Sequence, residues 1–531
     1  MENITANRYE NGQPKPRRFH QARWDEAMIF ELGRSGERGI LLPTVEDEIR
    51  EAAGDVLGAL PDSLRRSAPP ALPEVAQPQV VRHYMRLSQE NLGFDLNVDI
   101  GQGTCTMKYS PKINERLAAS PKLTALHPLQ PEATTQGMLE VLYRFEQILC
   151  EISGMDRFSL QPGAGSAAIY GAASMIRAFH AANGRADQRR EIITTIFSHP
   201  SDAACAKTAG FDIVTLYPDE DGYPDLDALK AAVSERTAGL MVANPEDTGI
   251  YNPRIADWVR VVHDAGGLCF YDQANANGIL GITRARDAGF DLCHFNLHKT
   301  FSTPHGCGGP GAGALGAAEH LAPFLPTPLV TFDGERYRLE ADRPRSIGTL
   351  RAFHGVIGAI LKAYAWVMSL GAEGLVDVAE TAVLNNNYLL QRIREIPGVE
   401  APYAEGRHRI EQVRYSWQAL HAETGVSSEE FGLRAADYGV HYWTSHHPFI
   451  VPEPCTLEPT ESFSKADLDE YAAILRRVAD EARNEPGLVK TAPHHSTVHR
   501  ADHALLDDPR EWAVTWRAYL RKRDKAEALD V

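Results

Sequence analysis

The chain has 531 residues, of which 43% are hydrophobic and 24% are charged, and its formal net charge is −17. This length allows two or three domains with substantial cores, while the negative charge disfavours binding to nucleic acid or to anionic membranes. The sequence lacks the roughly 18 uninterrupted apolar residues of a membrane span, and residues 1–3 are too polar to begin a secretory signal, so we expect a soluble, cytoplasmic protein.

The seven cysteines contain no CxxC pair. This spacing favours reduced thiols over a disulfide framework or a zinc cage, and no metal site is predicted.

Changes in composition divide the chain into four predicted segments. Residues 1–90 combine mixed charge with a proline-rich connector at 61–76 and a helical pattern at 80–87, which is typical of an N-terminal arm. Residues 91–350 are predicted to form a large cofactor-binding domain and residues 351–500 a small C-terminal domain. Residues 501–531 form a tail.

Strand-like and helix-like patterns alternate through the large domain. Apolar runs predict strands over residues 191–197, 211–217, 239–243 and 268–271. Helical patterns at 225–236 and 253–265 lie between them, which predicts an α/β fold with a mostly parallel sheet and flanking helices. The small domain is predicted to be α+β, with helices over 353–370, 374–396 and 465–484.

Lys299 ends an apolar strand-like run, DLCHFNLHKTF, at residues 291–301. Desolvation disfavours the charge of a buried lysine, and a neutral amine is a nucleophile that can form an imine with an aldehyde cofactor. The alternative is a surface lysine at the end of a strand.

Two upstream features favour the first alternative. Asp272 ends a predicted parallel strand, where it could pair with a pyridinium nitrogen or merely cap a helix. The small residues of QPGAGSAA at 161–168 precede a helical stretch and could hold a phosphate on free backbone N–H groups, although such a turn is weak evidence alone. Together with Lys299, these features predict a pyridoxal 5′-phosphate (PLP) site.

At these residues the chain resembles the pyridoxal-phosphate protein of the glycine cleavage system, glycine decarboxylase, in its C-terminal half or separate second subunit. The resemblance spans about residues 36–500. Besides the lysine run it includes GTCTMKYSPK at 103–112, HPLQP at 127–131, RPRSIG at 343–348 and EPTES at 458–462.

The resemblance implies a PLP-dependent enzyme of fold type I, the aspartate aminotransferase-like fold, and roles for matching residues. Lys299 would form the imine, Asp272 would contact the ring nitrogen, and His199 would stack on the ring, although His199 could instead be a core histidine. The implied cofactor-binding residues are Ala164, Gly165, Ser166, Asn275, His298, Thr300, Gly308 and Gly309.

The chain also departs from the family pattern. It has His199-Pro200-Ser201-Asp202-Ala203 where the family has His-Gly-Thr-Asn-Pro, and Cys307 interrupts a run of glycines. Residues 414–417 and 442–447 also differ, which suggests altered walls around the substrate, although the tryptophans there could simply pack. The candidate substrate-binding residues are Thr106, Lys108, His441, Trp443 and His446.

Three functions are compatible with these patterns. The resemblance implies that an amino-acid carbanion (quinonoid) forms on Lys299-bound PLP. In ordinary glycine decarboxylation this requires a lipoyl protein and a first-subunit homologue in a heterotetramer. The altered walls favour a stand-alone enzyme that makes or breaks a C–C, β or γ bond of another amino acid such as S-adenosylmethionine. A homodimer is expected, or a heterotetramer with a first-subunit homologue. A silent scaffold is disfavoured because Lys299, Asp272 and His199 are all present.

Overall fold

The protein forms two compact units in a computed structural model. The model describes residues 9–10, 13–93, 95–98, 100–101, 108–306, 309–442, 450–497, 499–500 and 507–529. The larger unit comprises residues 1–18 and 93–494, and the smaller unit comprises residues 19–92 and 495–531. The predicted boundary between domains near residue 350 falls within the larger unit and stays a prediction.

The larger unit is built around a seven-stranded sheet. Its strands are β1 (Arg157–Ser159), β2 (Glu191–Thr195), β3 (Asp212–Leu216), β4 (Thr237–Ala243), β5 (Leu268–Gln273), β6 (Leu292–Asn296) and β7 (Gly313–Ala317). Their spatial order is β1-β7-β6-β5-β4-β2-β3, and β2 to β6 pair in parallel while β7 is antiparallel to both neighbours. The predicted mostly parallel sheet is therefore confirmed.

Helices flank this sheet and continue into the C-terminal part of the unit. They are α1 (Gln136–Ser153), α2 (Gly165–Ala182), α3 (Pro200–Thr208), α4 (Leu226–Ala232), α5 (Ile255–Asp264), α6 (Ile357–Arg394), α7 (Gln418–Thr424), α8 (Ser428–Ala436) and α9 (Lys465–Asn484). Shorter helices span Lys112–Ala118, Pro121–Thr124 and Pro486–Lys490.

Antiparallel pairs of strands complete the larger unit. Strands β8 (Leu329–Phe332) and β9 (Tyr337–Glu340) pair with each other, as do β10 (Val413–Ser416) and β11 (Pro454–Leu457). A two-residue pairing joins Tyr9–Glu10 to Gln13–Pro14. The antiparallel pair β10–β11 and the helices α6 to α9 form the α+β part that the sequence predicts.

Both faces of the large sheet are covered by apolar side chains. In β5, Cys269 and Tyr271 pack with Val259 of α5, whereas Phe270 packs on the opposite face with Ile169 of α2. This alternation follows from the two-residue period of a strand, and burial on both faces is typical of parallel sheets. It fixes the carboxyl ends of the strands as a rigid edge.

Helix α6 contains the break that the sequence predicts between residues 370 and 374. Gly371 has a φ of 68° within an otherwise helical segment. Glycine adopts this conformation with little steric cost. The predicted helix at 465–484 coincides with α9.

The regular elements that the structure describes in the smaller unit are helices. It contains helices Asp47–Ala53, Gln77–Gln89 and Trp516–Leu529, with short 3-10 turns at Ile29–Glu31, Leu57–Ala59, Asp62–Leu64 and Pro509–Glu511. Within the described ranges, none of the helices of either unit has the length and apolar character needed to cross a bilayer.

Candidate active site

The carboxyl ends of the parallel strands surround a small cleft. Ligands of open α/β sheets bind at this edge. The structure brings Lys299, Asp272 and His199 together in the wall of the cleft, although they are far apart in the sequence. The other lining residues are Ala243, Pro245, Asp247, Ala274, Asn275, Glu411 and Gln412.

Lys299 lies in a turn directly after β6. Its backbone N–H donates to the carbonyl of Asn296 at 3.0 Å, and its carbonyl accepts from the N–H of Ser302 at 3.2 Å. Only 5% of the residue is exposed, and its charge acts on the carboxyl of Asp272 in the same cleft. A buried amine that opens only into a cleft is suited to covalent chemistry with a bound aldehyde.

Asp272 ends β5, and most of its surroundings favour its ionised form. Its Oδ1 accepts the backbone N–H of Ala274 at 2.8 Å and lies 3.3 Å from Nδ1 of His294 on β6. Burial opposes ionisation, but the charges of His294, His199 and Lys299 and the Ala274 N–H lower the pKa of this carboxyl. A buried carboxylate in the cleft wall can hold a proton on an aromatic nitrogen.

His199 precedes α3 and caps it. Its Nδ1 accepts the backbone N–H of Ser201 at 3.1 Å, so a neutral imidazole carries its proton on Nε2. His199 is not a fully buried core histidine, because its half-buried ring caps a helix and also lines the cleft.

The glycine turn packs against the same edge of the sheet. Ala164 precedes α2 without a side-chain cap, which leaves the first N–H groups of the helix without intrahelical partners. A Cβ on Gly165 would lie 2.7 Å from Nδ2 of Asn296, and Oγ of Ser166 lies 3.0 Å from Oγ of Ser201. This close packing next to His199 suits a phosphate site.

The remaining predicted cofactor residues are mostly engaged in hydrogen bonds that shape the loops. Thr300 Oγ1 accepts the N–H of Ala276 at 2.9 Å, and Asn275 donates from Nδ2 to Glu458 at 2.6 Å. Nδ1 of His298 lies 3.0 Å from the carbonyl oxygen of Ala312, and burial lowers the pKa of this imidazole to about 3. Gly309 donates its N–H to the carbonyl of His305.

The candidate substrate residues are only partly described. Lys108 is fully buried, lies 3.1 Å from Glu461 and 4.6 Å from the ring of Trp366, and is not part of the cleft lining. His441 is half-buried and is likewise absent from the lining. Their substrate roles stay predictions, and Thr106, Trp443, His446, Cys307 and Gly308 lie outside the described residues.

Sequence reasoning missed three polar residues of the cleft wall. Asp247 follows β4 and pairs with Arg414 at 2.9 Å, while Glu411 and Gln412 precede β10. Burial raises the pKa of Glu411 well above its ordinary value, which favours the protonated form of this carboxyl. The acidic pair Glu246-Asp247 behind an apolar strand was a usable signal, whereas nothing near Glu411 in the sequence indicates that it reaches the site.

Two of the departures from the family pattern have clear structural roles. Arg414 is the ion-pair partner of Asp247. Trp417 donates from Nε1 to the hydroxyl of Tyr442 at 2.6 Å and stacks on Phe431, so it packs within the core.

One further cluster has side chains of the kind that bind metals. His263, Cys269 and Asp291 place ligand atoms within 4.8 Å of one another. Asp291 is already bonded to His263 at 2.8 Å and to the N–H of Cys269 at 2.8 Å, with Arg286 at 3.9 Å. These contacts account for the cluster as an ion-pair network, and we assign no metal to it.

The residues of the cleft fit PLP in three respects. The structure offers a buried amine in the wall, a buried carboxylate across the same cleft, and a glycine turn that has no space for a Cβ. PLP requires these groups for its aldehyde, its ring nitrogen and its phosphate.

Comparisons with known proteins agree with this interpretation. Residues 51–341 match the family model of the glycine cleavage system P-protein, and residues 378–503 match that of the glycine dehydrogenase C-terminal domain. A probable glycine dehydrogenase (decarboxylating) subunit 2 from Pyrococcus horikoshii is 44% identical over 511 residues, which cover 96% of this chain and 99% of that protein. The protein of the same name from Caldanaerobacter subterraneus is 43% identical over 90% of this chain and 96% of its own length.

Solved structures show the same fold. A glycine decarboxylase (P-protein) of the glycine cleavage system, in an inhibitor-bound form, has a TM-score of 0.67 at 20% identity and covers 83% of this chain and 100% of its own. A sphingosine-1-phosphate lyase from Burkholderia pseudomallei has a TM-score of 0.58 at 14% identity and covers 81% of this chain and 95% of its own. The predicted fold type I architecture is confirmed.

Proposed function

Because the chain belongs to the glycine cleavage system P-protein family, we propose that it is the second subunit of a glycine dehydrogenase (decarboxylating). The family depends on PLP, and the chain is accordingly a PLP-dependent enzyme. The observation that carries the proposal is the convergence of Lys299, Asp272 and His199 on one cleft.

Different residues of the site would bind different parts of the cofactor. When bound, PLP supplies an aldehyde that a lysine amine can hold and a cationic ring that accepts the electrons released as a substrate loses CO₂. Lys299 would hold the aldehyde, Asp272 would keep the proton on the ring nitrogen, and His199 would contact the ring. The N–H groups that begin α2 would hold the phosphate.

The protein also controls charge around the substrate. Burial raises the pKa of Glu411, and Arg414 balances Asp247 at 2.9 Å, so the cleft wall carries less net negative charge than its composition suggests. A less negative wall admits the carboxylate of an amino acid at lower electrostatic cost. We expect glycine as this amino acid, because the relatives are named glycine dehydrogenase (decarboxylating).

The alternative of a stand-alone enzyme that acts on another amino acid, such as S-adenosylmethionine, is not favoured by the comparisons. The relatives named as subunit 2 cover the segments that depart from the family pattern as well as the catalytic residues. A silent scaffold is disfavoured because a lysine, a carboxylate and a histidine all remain in the cleft wall.

A first subunit is expected as a partner, since the relatives are named subunit 2. We propose a heterotetramer with a first-subunit homologue, with a lipoyl protein as acceptor of the aminomethyl group. A homodimer and a cytoplasmic location stay predictions.

Glycine–bicarbonate exchange tests the function. We expect labelled bicarbonate to enter glycine when the chain is combined with PLP, a first-subunit homologue and a lipoyl protein, and we expect Lys299→Ala to abolish both this exchange and the visible absorbance of the bound cofactor. Lys122→Ala, which changes an exposed lysine, is the matched control. Absence of exchange in the complete mixture, with the cofactor band intact, would overturn the proposed substrate.

A further inference from the structure

Asp202 is a buried carboxyl that faces the proposed partner of the ring nitrogen. It lies in the first turn of α3 and is 0% exposed. Neither of its oxygens meets a donor of good hydrogen-bond geometry in the described part of the chain. The groups turned toward it are the carboxyl of Asp272 and the backbone N–H of His199.

Two buried carboxyls in contact cannot both be negative at low energetic cost. Two neighbouring negative charges repel strongly where water does not screen them, so one carboxyl keeps a proton. The shared proton then forms an O–H···O hydrogen bond between the two side chains.

The neighbours decide which carboxyl keeps the proton. Burial raises the pKa of Asp272, but His294, His199, Lys299 and the Ala274 N–H outweigh it and lower the pKa, which favours the negative form. Asp202 is faced by Asp272 and Asp247, whose negative charges add to burial in raising its pKa well above the ordinary value. The proton therefore resides on Asp202. The titratable groups around the pair are His199, Cys205, Asp247, His294 and Lys299.

We propose that Asp202 is a positioning residue that stays protonated and donates a hydrogen bond to the Asp272 carboxylate. The bond fixes the orientation of Asp272 toward the ring nitrogen and limits how strongly Asp272 withdraws the ring proton. The proposal deepens the function proposed above, because it rests on the same cofactor site.

Cofactor spectra of three full-length proteins test this role. The wild type, Asp202→Asn and Asp202→Ala are loaded with PLP, and the visible band is titrated against pH. Asp202→Asn keeps a neutral donor and should have the wild-type midpoint. Asp202→Ala removes the donor and should shift the midpoint upward by about one to two units of pH, the effect expected from loss of one hydrogen bond to a charged group.

Infrared spectroscopy provides a second readout that does not require Asp202→Ala to fold. The wild type should show the carbonyl stretch of a protonated carboxylic acid that is missing in Asp202→Asn. This carbonyl stretch should remain in Asp227→Asn, which changes an exposed aspartate. An unchanged infrared spectrum in Asp202→Asn, or a wild-type midpoint in Asp202→Ala, would overturn the proposal.

These readouts separate this inference from the proposed substrate. If glycine exchange fails but the spectra are as expected, glycine decarboxylation is excluded as the function and the proposed role of Asp202 still holds. Normal exchange with a shifted midpoint in Asp202→Asn would show that Asp202 is charged and would overturn only the inference.

Discussion

Asp272 is the residue on which the electronic role of the site depends. Asp272→Asn removes the charge that keeps a proton on the ring nitrogen while it preserves the shape of the side chain. We expect a fall in turnover of about a hundredfold or more, the effect of losing one preorganised electrostatic contact, with little change in unfolding temperature. Steady-state exchange and thermal unfolding measure the two quantities.

The exposed Asp227 provides the control for this substitution. Asp227→Asn should leave the turnover unchanged. Wild-type turnover in Asp272→Asn would contradict the assignment of the carboxylate to the ring nitrogen.

The ion pair between Arg414 and Asp247 is a second feature at the residue scale. Its side chains are only 2% and 7% exposed. Arg414→Met would leave the Asp247 carboxylate buried and unpaired, which should lower the free energy of unfolding by about 3–5 kcal/mol. Urea unfolding measures this loss.

A double variant distinguishes charge from packing at the same pair. Arg414→Met combined with Asp247→Asn removes both charges and should recover most of the stability, because no buried charge remains unpaired. Arg260→Met, which breaks an exposed pair with Asp257, should cost about 0.5 kcal/mol at most. A double variant no more stable than the single one would refute the explanation.

At the scale of the element, the beginning of α2 depends on the absence of a side chain at Gly165. A Cβ there would lie 2.7 Å from Nδ2 of the Asn296 side chain, so Gly165→Ala must displace either this buried side chain or the helix. We expect the dissociation constant of PLP to rise at least about tenfold, which corresponds to loss of one charge-assisted hydrogen bond. Equilibrium titration of the apoprotein measures it.

Gly358 in α6 is the matched control, because a Cβ there would meet nothing within 4 Å. Gly358→Ala should leave cofactor affinity unchanged and add helix propensity. Equal affinities for both variants would place the phosphate elsewhere.

The end of α5 is joined to β6 by a bond whose strength should depend on pH. His263 is hydrogen-bonded to Asp291 at 2.8 Å, and this bond raises the pKa of His263 above its ordinary value of 6.5. For Asp291, burial raises the pKa, but hydrogen bonds outweigh burial and lower the pKa to about 2. The histidine contribution is complete below pH 6.5 and is lost as the pH rises through the raised pKa. The carboxylate contribution is lost only as the pH falls toward 2.

His263→Gln should therefore destabilise the protein more at pH 5.5 than at pH 9. Urea midpoints at the two pH values check this difference, and His408→Gln, an exposed histidine, should show none. A loss of stability that is the same at both values would mean that the ion pair contributes nothing.

At the scale of the molecule, the sequence predicts the sheet and the residues at the ends of its strands better than the walls that close the site. Lys299 and Asp272 are recognisable because each ends an apolar run, and parallel strands bring such ends together. Asp202 faces Asp272 from a helix, and Glu411 reaches the cleft from the loop before β10, through contacts that no local pattern encodes. The segment that contains Trp417 looked like a substrate wall, but the buried side chain of Trp417 packs on Phe431.

The smaller unit exposes apolar side chains that we expect a first subunit to cover. Ile40, Leu41 and Leu42 are 70%, 85% and 74% exposed, and further exposed apolar residues follow between 45 and 72. Contiguous apolar surface of this kind usually marks an interface. Burial of a leucine contributes about 1.5–3 kcal/mol, so Leu41→Asp with Leu42→Asp should weaken association with a first-subunit homologue by about a hundredfold or more.

Analytical ultracentrifugation of the mixed subunits measures the association, and glycine exchange should fall in proportion to the complex that is lost. Leu384→Asp changes a leucine of α6 that is 70% exposed and should leave the association unchanged. The cofactor band of the double variant should also remain normal, because the cleft lies in the larger unit. Wild-type association of the double variant would show that residues 41 and 42 face solvent in the assembled enzyme.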